Sequence, residues 1–126
     1  MKLKQLIQIA ALTLGALSLQ PALAHGAGKP QHGGIVQVAN DVSFELVPEA
    51  DGATIYLVDH DEPMSSKGIA GKLTVLQGSH KTEVDVKEAG DNKLRATGVK
   101  IGKGDKIVAV LNNVDGKTAT VRFTVE

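Results

Sequence analysis

Cysteine and tryptophan are absent from this 126-residue chain, and rings are scarce: Phe44, Tyr56 and Phe123 are its only Phe, Trp or Tyr residues. Without cysteine there is no disulfide, thiolate nucleophile, zinc knuckle or iron–sulfur ligation. No sign of charge dominates, because 14 Lys and Arg stand against 14 Asp and Glu, interspersed along the chain. That balance, with no basic run, excludes the electrostatic footprint of a nucleic-acid binder. It equally excludes a charged interaction tail. The phosphate-cradling patterns G-x-x-x-x-G-K-[ST] and G-x-G-x-x-G are missing, as is the G-x-S-x-G nucleophile elbow. Ser65 and Ser66 read as loop polarity, and Asp59, Asp61 and Glu62 as solvated loop acids. An enzyme is therefore not expected.

What is present begins with an address. Lys2 and Lys4 precede an apolar run from Leu6 to Leu19, and Ala22-Leu23-Ala24 follows Pro21 as a small-residue cleavage site. Residues 1–24 thus read as a signal peptide, the run being too short for a membrane span and lacking a stop-transfer pattern. A periplasmic address is expected. Cleavage after Ala24 removes two lysines and no acid, leaving 12 basic and 14 acidic residues on a 102-residue chain of net charge −2. Of those 102 residues, 27 are Val, Ile, Leu or Phe, enough for one core without staples.

Residues 25–33 hold four glycines and prolines and no large apolar side chain, so they read as a flexible tail. From residue 34 to 126 the patterning is that of strands. Val42, Phe44 and Leu46 alternate with polar residues, as do Val121, Phe123 and Val125, which puts one face of each strand inside. Ile107 to Leu111 is continuously apolar and reads as a strand covered on both faces, with a strand ending at a sheet rim as the alternative. Asp51-Gly52, Gly78-Ser79 and Asp115-Gly116 supply turns, the last two as hairpins. Turn signals at such intervals, with no helical stretch after residue 24, predict an antiparallel β-sandwich of seven or eight strands, immunoglobulin-like in the wide sense. The longest interruption, Asp59 to Gly68, carries three acids, His60 and Met64.

Metal binding is the sharpest chemical expectation. All four histidines, His25, His32, His60 and His80, follow the cleavage site, and neutral imidazole is the commonest side-chain ligand for transition metals. As the new N-terminus, His25 offers an α-amine and an imidazole to one ion, with His32 able to fold back across six residues. Nitrogen donors in a planar set suit Cu(II) or Ni(II). His60, with Met64 four residues on, is a second candidate, mixing hard carboxylates with a soft thioether. His80, beside the Gly78-Ser79 turn, reads as solvent-facing. The competing expectation is a structural or interaction module whose histidines are incidental.

The succession His32-Gly33-Gly34, Phe44-Glu45-Leu46-Val47, Tyr56-Leu57-Val58-Asp59, Pro63 and a terminal Arg122-Phe123 resembles small periplasmic sandwich domains. Such domains occur alone and at the head of heavy-metal efflux adaptors of the resistance-nodulation-division class. The resemblance spans about residues 32 to 126. It implies a role in metal resistance and an efflux adaptor as partner, and within its pattern His32 is the residue suited to metal. A looser similarity is to periplasmic copper-resistance sandwiches whose mature chain begins at a histidine, though their Met-rich segments are missing.

Overall fold

The computed structural model describes residues 28–126, and every regular element among them is a strand. The strands are β1 (Ile35–Ala39), β2 (Val42–Glu49), β3 (Gly52–Asp59), β4 (Glu62–Pro63), β5 (Ala70–Gln77), β6 (His80–Glu88), β7 (Lys93–Thr97), β8 (Lys106–Val114) and β9 (Lys117–Thr124). The leader expected over residues 1–24 and the candidate ligand His25 lie outside the described residues.

Alternation builds each strand. β9 buries Ala119, Val121 and Phe123 and leaves Thr118, Thr120 and Arg122 outside. β2 buries Val42, Phe44 and Leu46, and β3 buries Ala53, Ile55 and Leu57, with Leu57 opposite Phe44 and Ile55 opposite Leu46. The strands hydrogen-bond in the order β1-β2-β3-β7-β6-β5-β8-β9, all antiparallel, with β4 added on β3. Along eight strands of alternating direction the two end strands run opposite ways, and the curl of the sheet brings β1 beside β9. There the Asn40 side-chain amide donates to the Thr118 carbonyl at 3.3 Å, although no backbone ladder joins the two strands. The sheet is nearly closed into a barrel around one aliphatic core in which Phe44 and Phe123 are the only rings.

The patterning predicts an antiparallel all-β domain, and that is the fold. Its ladder is unbroken, whereas a sandwich divides into two facing sheets. Period-two alternation reports only that one face is buried, and it reads the same whether the cover is a second sheet or the far wall of a curled one. The same geometry corrects the reading of Ile107–Leu111. Ile107, Ala109 and Leu111 are buried, but Val108 is half-buried and Val110 exposed, because the barrel has a single inside.

Three turns after β1, β3 and β8 lie at one end of the barrel, since those strands run the same way. Each is two residues long with both at positive φ: Asn40-Asp41, His60-Asp61 and Asp115-Gly116. Such primed turns match the twist of the flanking strands. The β5–β6 hairpin, with Gly78 at φ 64°, lies at the opposite end.

Candidate functional site

Glu45 breaks the alternation of β2. Lying between the inward Phe44 and Leu46, it belongs on the outer wall, yet it is only 5% exposed. The segment just before β1 covers it. The Gln31 backbone N–H donates to Glu45 Oε1 at 3.0 Å, while those of His32 and Gly34 donate to Oε2, each at 2.8 Å. His32 Nδ1 completes the set, 3.1 Å from Oε1. The His32 ring in turn stacks on Tyr56, which faces Glu45 across the β2–β3 ladder, with centroids 3.6 Å apart and planes 3° from parallel.

Local sequence explains why the segment lies down here. Gly33 takes a φ of 73°, which turns the chain over the carboxylate, and a Cβ on Gly34 would come within 2.3 Å of the Leu46 carbonyl oxygen. Only glycine permits both. Residues 31–33, expected as part of a free tail, are therefore tied to the barrel wall. His32, Glu45 and Tyr56 all belong to the sequence pattern of residues 32–59, but their spacing does not record that His32 touches the other two.

Burial pushes the Glu45 carboxyl up, but the hydrogen bonds from Gln31, Gly34 and His32 outweigh it and hold the group below its ordinary 4.5. A carboxyl whose pKa is lowered on folding contributes stability that is present above the unfolded value and lost as pH falls through the folded one. The strap over Glu45 should accordingly stay closed at neutral pH and release on acidification below the ordinary glutamate range. Hydrogen-exchange protection of the Gln31, His32 and Gly34 amides is expected to hold from about pH 7 down to about pH 4.5 and to fall below it.

Beside this cluster a cleft of about 500 Å³ runs over the outer face of β1–β3. Val36, Val38, Val58 and Tyr56 form its floor, Gly28, Lys29 and Gln31 border it, and His60 and Asp61 close one end. His60 is 86% exposed in its side chain, with Nδ1 2.6 Å from Asp59 Oδ1. It lies four residues beyond Tyr56, just past the end of β3, roughly 13 Å at a strand's rise per residue, so it does not meet His32. Met64 packs against the core and its backbone N–H donates to the Leu57 carbonyl at 3.0 Å. His80 is exposed at the far end of the barrel, as expected of a hairpin residue. Among the described residues no three His, Asp or Glu side chains converge on a metal-sized space. Among the described residues the structure brings His32 together with Glu45 and Tyr56, while His60 contacts Asp59 at one end of the adjoining cleft.

Ser66, read as loop polarity, is buried, and its hydroxyl donates to the Asp91 carbonyl at 3.2 Å. It fastens the β4–β5 connection to the β6–β7 turn. Fold and site together define an all-β, antiparallel, nearly closed barrel with a histidine clasped to its outer wall. Set against protein-family models, curated proteins and solved structures, the chain matches none.

Proposed function

We propose that the exported protein is a non-catalytic periplasmic binder of a divalent transition metal, Cu(II) or Ni(II), working in metal resistance or efflux. Its donors are the α-amine and imidazole of His25 and the ring of His32. The observation that carries this reading is the state of His32. Its side chain is 42% exposed, its ring is fixed against Tyr56, and among the described residues only Nδ1 of its two nitrogens has a hydrogen-bond partner. Nitrogen donors of this kind suit Cu(II) and Ni(II). Six residues separate His25 from His32, enough chain to turn back on itself. Delivery to a heavy-metal efflux adaptor, and kinship with immunoglobulin-like sandwiches, rest on the resemblance of residues 32–126.

Titrating the mature chain with Cu(II) should produce an electron paramagnetic resonance spectrum with nitrogen hyperfine structure. A His25→Ala, His32→Ala double variant keeps only the α-amine of the three donors, so affinity should fall and the hyperfine pattern change, and affinity unchanged by the double substitution would refute the assignment. A second reading, an interaction module, is favoured by the apolar cleft floor, where Val38 is 39% exposed. In that case partner binding survives deletion of residues 25–33.

A further inference from the structure

We infer that Glu45 is the positioning residue of this centre: its carboxylate sets the tautomer and the plane of the His32 ring so that Nε2 carries the free lone pair. The inference rests on the metal reading only for what Nε2 then binds. A buried carboxylate is costly unless its lone pairs are engaged, and those of Glu45 are engaged by four donors from residues 31–34. Three of the four are backbone N–H groups, which can only donate. An ionised carboxylate can only accept, so the His32 nitrogen 3.1 Å from Oε1 must carry its proton. In a neutral imidazole one nitrogen bears hydrogen and the other a lone pair. With the proton on Nδ1, the lone pair falls on Nε2.

Tyr56 supplies the second constraint. Parallel stacking at 3.6 Å opposes rotation of the ring out of its plane, and the His32 backbone N–H is bonded to the same carboxylate as its side chain. Ring and main chain are thus held by one group. A carboxylate on the far nitrogen of a ligating histidine fixes tautomer and orientation and raises ligand basicity, and its loss typically weakens metal binding about 10- to 100-fold. With its acceptor sites filled by residues 31–34, Glu45 acts through His32 and is not itself a ligand. His60 differs in this respect: its carboxylate contact is to its own neighbour Asp59, on an exposed turn where no ring of the described residues stacks on it.

The test joins a metal-free and a metal-loaded measurement on the full mature chain. Long-range proton–nitrogen correlation spectra near pH 8 should show His32 as the Nδ1–H tautomer in the wild-type protein. In Glu45→Gln that preference should be lost and Cu(II) affinity should drop about 10- to 100-fold. A wild-type spectrum with the proton on Nε2 would overturn the inference. So would a Glu45→Gln protein that binds Cu(II) as the wild type does. A wild-type chain that shows the Nδ1–H tautomer but takes up no Cu(II) would refute the metal reading and leave the control of the ring by Glu45 standing.

Discussion

Replacing Phe44 with alanine is expected to cost about 3–5 kcal/mol, the range for truncating a fully buried large ring. Phe44 is 0% exposed and points inward from β2, opposite Leu57 of β3. The core around it is otherwise aliphatic apart from Phe123, so no second ring is at hand to swing into the space. The walls of a nearly closed barrel are tied by ladder hydrogen bonds to both neighbours, which limits collapse around a cavity. For a domain of about 100 residues, each kcal/mol lowers the melting temperature by about 4–8 °C. Thermal unfolding followed by far-ultraviolet dichroism should show a fall of at least about 12 °C, against a much smaller one for Phe44→Leu. The substitution also bears on the site, because Phe44 and Glu45 are consecutive on β2. A Phe44→Ala protein that keeps its stability would mean that the barrel does not close over this side chain.

Most of the strands were legible because their apolar residues alternate and their ends carry turn residues. Gly78-Ser79 and Asp115-Gly116 stand where the hairpins are. The turns at Asn40-Asp41 and His60-Asp61 carry no glycine, yet both residues of each take positive φ. Asn, Asp and His are the non-glycine residues that visit this region most readily. The acid-rich run from Asp59 is therefore in part a tight hairpin, and His60 sits where backbone geometry accepts it. Closure of the sheet was not legible, since no local pattern records which strands become neighbours far along the chain. For the same reason the contact of His32 with Glu45, 13 residues apart, and with Tyr56 could not be read from spacing. The residue types were suggestive; their meeting depends on the β2–β3 register and on the turn at Gly33.

Gly71 marks a constraint that the sequence conceals entirely, and Gly71→Ala should be among the most damaging small substitutions in the protein. Gly71 lies within β5, between Val86 of β6 and Leu111 of β8. A Cβ there would lie 1.9 Å from the Val110 carbonyl oxygen and 2.9 Å from its carbonyl carbon. These are backbone atoms of a paired strand, so no side-chain rotation relieves the clash. β5 and β8 would have to part where β8 is already irregular, at the bulge between Leu111 and Val114. Glycine inside a strand often marks such a close approach or a bend where a barrel turns. The expected loss is about 3 kcal/mol or more, the upper end of overpacking costs, or at least about 12 °C in melting temperature. Gly78→Ala is the comparison that isolates the cause. Gly78 has φ 64° but nothing within 4 Å of its Cβ position, so alanine there meets only left-handed backbone strain of about 1–2 kcal/mol. Gly71 itself does not take a positive φ, so a loss there no greater than at Gly78 in urea unfolding would show that β5 and β8 yield to a Cβ without the expected clash.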